Sequence, residues 1–369
     1  MEDIIETFNF SPGPSCLPKE VLLKAQEDTL NWNGSGISVM EMSHRSKEFI
    51  EIMQNAENDF RELMEIPEEF EILMLPAGGS MQFSAVPMNL LTKNKKANYL
   101  VFGSWGKSAI NHAKRYADDI TEVVDPDSIG NTIPDFSTWK IDPEAKYFHY
   151  CDNETIYGIE INDFPFEELK DQLLVCDMSS NICSRKVDWS KYGLVYAATQ
   201  KNIGPAGVCM VIIRKDLIEE PMTITPDVAS YKKYADAPYR CFNTPCTWSI
   251  YVCGLNLAIM KEKGIEAIEE EALLKSGMIY KVIDESDGFY INSIDKKYRS
   301  RLNVVFNIKD DKELEAKFVE DAAKNGLISV KGHKSVGGLR ASIYNSMPVR
   351  GVEKLAEFMK KFQEENQQG

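Results

Sequence analysis

Leu173-Leu174-Val175-Cys176-Asp177 and, further along, Leu194-Val195-Tyr196-Ala197-Ala198-Thr199-Gln200-Lys201 are the stretches on which the fold turns. Each is a short apolar run that breaks off into polar residues. Such runs are too short for a buried helix and fit a strand covered on both faces. Similar runs recur at 71–75, 99–102, 147–151 and 208–213. Amphipathic stretches separate them, with helices expected over 81–91 and 108–117. Strands alternating with helices predict βαβ units and a mostly parallel sheet flanked by helices, an α/β fold.

Outward from this centre, 46–64 reads as a helix, because Phe49, Ile52, Met53, Ala56, Phe60 and Leu63 repeat at three and four with charge opposite. Downstream, helices are expected over 250–262 and 265–275, meeting near Gly264. A strand over 302–308, a helix over 311–325 and a terminal helix over 352–363 follow. A chain of 369 residues exceeds one domain of ordinary size. The expectation is a large domain over 16–263 and a smaller α+β C-terminal domain over 264–369, joined by an N-terminal segment, 1–15.

A hydrophobic content of 43% suits a globular core. No apolar run approaches the roughly 18 residues of a membrane span. Residues 1–6 are acidic and lack the basic-then-apolar order of a signal peptide. The eight cysteines form no CxxC pair, and the four histidines at 44, 112, 149 and 333 give no zinc spacing, so no metal is expected. Cys176 and Cys209 lie in apolar runs, where a thiol acts as a small hydrophobe. A soluble cytoplasmic protein is the expectation. The net charge of −15 disfavours nucleic acid and anionic membrane as partners. An anionic substrate must then meet cations gathered in one place.

In open parallel sheets, ligands collect at the carboxyl ends of the strands. Asp177 follows one such run, and Thr199, Gln200 and Lys201 follow the next. Gly78-Gly79-Ser80 follows 71–75 and opens a helix, and Asn153-Glu154-Thr155 follows 147–151. One rim thus receives a carboxylate, an amine, a glycine-rich helix start and a hydroxyl. An amine can form a Schiff base with an aldehyde cofactor. A buried aspartate favours a protonated pyridine nitrogen, and backbone N–H groups at a helix start suit a phosphate. Taken singly, each signal is weak: a lysine after a strand is ordinarily solvated, and Gly-Gly before a helix is ordinarily a turn.

Taken together, the segments resemble a known family. Thr199-Gln200-Lys201-Asn202-Ile203-Gly204-Pro205-Ala206-Gly207 is similar to the cofactor-lysine segment of phosphoserine aminotransferases. Asn9-Phe10-Ser11-Pro12-Gly13-Pro14 resembles that family's opening, and the residues 82–90, 153–155, 242–245 and 332–345 are further blocks. The similarity runs from about residue 8 to 350.

The resemblance implies a fold-type I, class V transferase that binds pyridoxal 5′-phosphate. Lys201 would hold the cofactor and move the proton between the substrate α-carbon and the cofactor's C4′ carbon, and Asp177 would pair with the pyridinium. Trp105 would stack on the ring, and Thr155 would bond its phenolic oxygen. Gly79, Ser80 and Gln200 would hold the phosphate, and Asn243 and Thr244 would reach the phosphate of a neighbouring subunit's cofactor, making a homodimer. Arg340 would take the substrate α-carboxylate, while His44, Arg45, His333 and Lys334 would meet the distal anion. The substrates implied are glutamate and 3-phosphohydroxypyruvate, with phosphoserine and 2-oxoglutarate as products.

Two positions depart from the family pattern. Lys334 stands where Arg is expected, keeping the charge without the fork, and Ser80-Met81 stands where some relatives carry Arg-Gly. Three alternatives stay open. One is a cysteine desulfurase-like relative, disfavoured because no cysteine follows Cys253. Another is a more general class V small amino acid:oxoacid aminotransferase. The third is a non-catalytic α/β binding protein, weakened by the absence of G-x-G-x-x-G after an early strand.

Overall fold

The computed structural model describes residues 6–125, 131–309 and 311–367. Its centre is a seven-stranded sheet. In chain order the strands are β2 (Phe70–Pro76), β3 (Lys96–Tyr99), β4 (Asp119–Glu122), β5 (Tyr147–Cys151), β8 (Leu174–Asp177), β9 (Tyr192–Ala198) and β10 (Val208–Arg214). They lie side by side as β2-β10-β9-β8-β5-β3-β4. β10 runs antiparallel to both its neighbours, and the other pairings are parallel. The reason is length: the loop 199–207 between β9 and β10 is shorter than the dozen or so residues a parallel crossover needs, so the chain turns straight back. That loop carries Lys201.

Successive side chains of a strand face opposite ways, and both faces are buried. Ile72, Cys176, Val195, Met210 and Ile212 face one core with α2 (Lys47–Leu63) and α6 (Thr247–Lys263). Leu73, Val175, Leu194, Val211 and Ile213 face another with α3 (Gly79–Leu90) and α4 (Ser104–Ala113). In α2 the six predicted apolar residues are all buried, and Ser46 Oγ accepts the Phe49 N–H to cap its start. Each such large side chain contributes about 1.5–3 kcal/mol on burial. Phe60 is wholly buried, so its removal would cost about 3–5 kcal/mol.

A third core lies around the sheet β11-β12-β14 (Tyr290–Ile291, Asn303–Ile308, Leu339–Ser342), with α8 (Lys312–Lys324) and α9 (Val349–Asn366). Phe8 and Phe10 belong to it, because β1 (Phe8–Asn9) pairs with β13 (Leu327–Ile328). The helix α7 (Ile265–Asp284) spans two cores: Ile265 and Ile268 pack in the first, Ile279 and Val282 in the third.

Several elements differ from the expected ones. The strand β3, Lys96–Tyr99, shares only Tyr99 with the one expected over 99–102. Its buried Asn98 donates to Asp142 O and Gln172 Oε1, a tertiary satisfaction that local polarity hides. The edge strand β4 is polar and had no apolar signal. The helix expected over 108–117 starts earlier, at Ser104, and short helices α1 (Lys19–Glu27) and α5 (Tyr231–Asp236) were not foreseen. α7 runs past the expected stop at 275 to Asp284. Lys275, which breaks the apolar period, is buried and donates to the carbonyls of Tyr344 and Met347 at 2.9 Å each.

Candidate active site

Four strand ends converge on one rim. β8 stops at Asp177 and β9 at Ala198, after which the loop 199–207 brings Lys201 back over the sheet. β2 ends at Pro76 just before α3 begins at Gly79. β5 feeds the hairpin β6–β7 (Asn153–Glu154, Ile159–Glu160), whose turn carries Thr155.

The lysine loop is held from inside. Thr199 Oγ1 donates to the Pro205 and Val208 carbonyls, and its own carbonyl accepts from Ile203 and Gly204. It is also held by the N-terminal segment. Ser15 donates from its backbone N–H to Gln200 O at 3.0 Å and from its hydroxyl to Lys201 O at 2.6 Å. Gly13 packs against the lysine stem with φ +135°, and a Cβ there would stand 3.1 Å from Lys201 Cγ. Glycine alone combines that backbone with that approach.

Lys201 Nζ donates to Thr155 Oγ1 at 3.0 Å and lies 5.6 Å from the Trp105 ring centre. Arg340, from β14, donates to the Thr155 carbonyl at 3.1 Å, while its Nε finds no partner among the described residues. Burial pulls the Arg340 pKa below its ordinary value.

Asp177 is buried, and burial raises its pKa above the usual carboxylate value. Lys201, Ser179 and the Tyr196 hydroxyl pull the other way. Ser179 donates its N–H to Asp177 Oδ1 at 2.9 Å. Behind them, Tyr196 Oη lies 3.0 Å from His149 Nε2. Burial holds His149 neutral, its pKa down to about 3. Its Nδ1 has no partner among the described residues. A bare lone pair is cheaper than a bare N–H, so the proton sits on Nε2 and donates to Tyr196. Tyr196 must then donate its own hydrogen to Asp177. The chain of donors therefore points at the carboxylate and favours its charged form.

These groups surround a pocket of about 230 Å³. Of the residues singled out in the sequence, Gly79, Ser80, Trp105, Thr155 and Asp177 line it, together with Gln200, Lys201, His333 and Arg340. The structure does not bring the others to this pocket among the described residues. His44 and Arg45 line a separate groove with Tyr239 and Phe242. Asn243 accepts from the Tyr234 hydroxyl at 2.7 Å, and Thr244 and Lys334 are exposed. Size does not locate the chemistry: a wider cleft of about 660 Å³ lies by the N-terminal segment, but its Lys263 and Arg350 are already paired with Glu271 and Glu6.

Sequence reading missed Glu154, Tyr196, Ser179 and Ser15. Glu154 had a signal, an acid lodged beside Thr155 directly after a buried strand. Tyr196 had none, being one aromatic residue in an apolar strand.

Comparison with known proteins places the whole chain in a family. The model of the aminotransferase class-V family matches residues 7–355, so the chain belongs to the class-V aminotransferases. It is 48% identical to phosphoserine aminotransferase 2, chloroplastic, of Arabidopsis thaliana, covering 96% of this chain and 84% of that protein. It is 47% identical to phosphoserine aminotransferase of Laribacter hongkongensis, covering 96% and 98%. A solved structure of pyridoxal-phosphate-bound phosphoserine aminotransferase from Trichomonas vaginalis superposes with a TM-score of 0.91 at 38% identity, covering 96% of this chain and 100% of the other. Within its class, the chain belongs to the phosphoserine aminotransferases. No described helix is long and apolar enough to cross a membrane.

Proposed function

We propose that this chain moves an amino group reversibly between L-glutamate and 3-phosphohydroxypyruvate, yielding 2-oxoglutarate and O-phospho-L-serine, with pyridoxal 5′-phosphate held in the Lys201 pocket. The observation that carries this is the placement of the Lys201 amine, 3.0 Å from Thr155 Oγ1, in a pocket whose wall contains the buried Asp177.

The residues fit that cofactor. Burial raises the Asp177 pKa, so its charged form is costly there and a pyridinium nitrogen beside it would stabilise that form. The indole Nε1 of Trp105 and Nε of Arg340 are buried without partners among the described residues and would serve anionic oxygens. α3 begins with no side-chain cap, leaving N–H groups for a phosphate. A Cβ on Gly79 would press on Ser179 Oγ at 3.1 Å, so glycine keeps that helix start tight to the sheet.

When bound, pyridoxal phosphate supplies an aldehyde carbon for the amino group and a ring that draws electrons from the substrate α-carbon. Lys201 would hold the cofactor through its amine and would move a proton at the substrate α-carbon. Thr155 orients that amine and would offer its hydroxyl to the phenolic oxygen. Asp177 would keep a negative charge at the ring nitrogen, and Trp105 would cover a ring face. Gly79, Ser80 and Gln200 would hold the phosphate. Arg340 would receive the substrate carboxylate in a two-pronged bond, and His333 would meet the distal anion, with Lys334, exposed next to it outside the pocket lining, turning in to join it.

The active unit in this reading is a homodimer. Asn243 and Thr244 would reach the neighbour's cofactor phosphate, and His44 and Arg45, lying outside their own chain's pocket, would serve the neighbour's substrate. Exposed apolar side chains such as Leu30, 82% accessible, and Met40, 55%, suit a covered face. We place the boundary between a large and a small domain at Gly264, and the protein, with eight unpaired cysteines, in the reducing cytoplasm.

The test is a spectrum. Full-length protein with pyridoxal phosphate should gain a visible band that L-glutamate removes and 3-phosphohydroxypyruvate restores. A band indifferent to glutamate sinks the proposal. Serine or alanine replacing phosphoserine without loss of rate would instead favour a general small amino acid aminotransferase.

A further inference from the structure

α4 begins without a cap from its own chain neighbour, since Gly103 has no side chain to offer. The acceptor comes from another element: Glu154 Oε2, on the β6–β7 hairpin, takes the Trp105 N–H at 3.1 Å. The approach is close. A Cβ on Gly103 would lie 2.2 Å from Glu154 Cγ and 2.6 Å from its Oε2, so only glycine admits the carboxylate. A negative charge there also faces the positive end of the helix.

Glu154 is fully buried, and its Oε1 has no hydrogen-bond partner among the described residues. Burying a half-satisfied carboxylate is costly, and the cost falls beside the pocket. The adjacent Thr155 binds the Lys201 amine and, through its carbonyl, Arg340. One hairpin thus reaches the lysine and the arginine through Thr155, and the backbone N–H of Trp105 through Glu154.

We propose that Glu154 is a positioning residue: its carboxylate caps α4 from outside the helix and thereby holds the Trp105 ring in place on the Lys201 pocket. This makes the grip on the ring sensitive to Glu154's charge. Burial raises the Glu154 pKa to about 7, with the Trp105 N–H, Lys201 and the Ile156 N–H opposing and Asp177 reinforcing. The charged and titratable groups facing it are Lys201 from the loop after β9, Asp177 from β8, Arg340 from β14 and Cys151 from β5. Above that pH the cap is a charge-assisted bond; below it, a neutral and weaker one.

The proposal rests on the pocket being a pyridoxal phosphate site, and two readouts separate the two claims. The first needs no cofactor. Trp105 emission, isolated as the difference between the wild-type chain and Trp105→Phe, should shift as pH passes through about 7, and Glu154→Gln should abolish the shift. A wild-type signal flat in pH, or one that still shifts in Glu154→Gln, overturns the proposal whatever the cofactor does. The second is the dissociation constant of pyridoxal phosphate. The Glu154→Gln to wild-type ratio should rise from near one below that pH to about fivefold above it. Glu154→Ala should weaken binding in the wild-type background and change it less than twofold in Trp105→Ala. An equal loss in both backgrounds shows that Glu154 does not act through Trp105 and refutes the role. A chain that never binds pyridoxal phosphate refutes the cofactor reading and leaves the emission result to judge Glu154.

Discussion

Replacing Tyr196 by Phe tests whether the buried network behind Asp177 controls its charge. The hydroxyl stands between His149 Nε2, 3.0 Å away, and the Asp177 carboxylate. Its loss has two consequences. Asp177 loses one of its donors, and hydrogen bonds to charged groups are worth about 1.5–3 kcal/mol. His149 is left with a buried N–H and no acceptor, costing about 1–3 kcal/mol of stability. The signs differ between folding and binding. Asp177 already titrates above the ordinary carboxyl value, so its charged form costs the folded state energy, and stability falls as pH rises from that ordinary value through the folded one. Pyridoxal phosphate needs the charged form, so its binding weakens as pH falls through the folded value. Tyr196→Phe moves that value further up. At the acid end of the range, the variant should bind pyridoxal phosphate about ten- to a hundredfold more weakly than the wild type, since 1.4 kcal/mol is a factor of ten. The gap should narrow toward alkaline pH, where both carboxyls are charged. Titration of cofactor-free protein with pyridoxal phosphate, from the ordinary carboxyl range upward to alkaline pH, reads this directly. A Tyr196→Phe protein whose affinity ratio to wild type is the same at both ends would refute the donor chain. Equal affinity throughout would show that Tyr196 does not touch the carboxylate's charge at all.

Glu154→Gln should stabilise the cofactor-free protein at about pH 8, by up to about 3 kcal/mol for a folded pKa near 7 against an ordinary 4.5. The gain should vanish as pH falls to the ordinary carboxyl range, and urea unfolding at the two extremes would expose an error in sign. Arg340→Lys keeps the charge but loses the fork, so KM for both amino donors should rise roughly ten- to a hundredfold while the cofactor band is unchanged. Lys334→Arg should lower KM for phosphoserine by a few fold and alter that for glutamate differently. Steady-state kinetics with the two donors distinguishes the last two cases.

Much of this protein was readable from residue order. Apolar runs at 71–75, 173–176, 194–197 and 208–213 became neighbouring strands because runs that short can be buried only by a sheet covered on both sides. α2 appeared where its apolar period placed it. Their position after buried strands put Lys201 and Asp177 at the carboxyl rim, and the family resemblance of the segments around them singled them out. Local patterns failed where a distant partner pays for a residue's chemistry. Asn98 joins β3 because Asp142 and Gln172 satisfy its amide, and Lys275 continues α7 because two carbonyls receive its amine. Glu154, Tyr196 and Ser15 belong to the same class, for each acts on a residue that is close in space and remote in sequence. The linear order thus determined the sheet and the rim at which Asp177 and Lys201 meet, because periodicity and strand ends are local properties. Only the folded chain decided which acid caps Trp105, which hydroxyl backs Asp177 and which cations stay outside the pocket, because burial and hydrogen-bond satisfaction are set by whatever the rest of the molecule brings alongside.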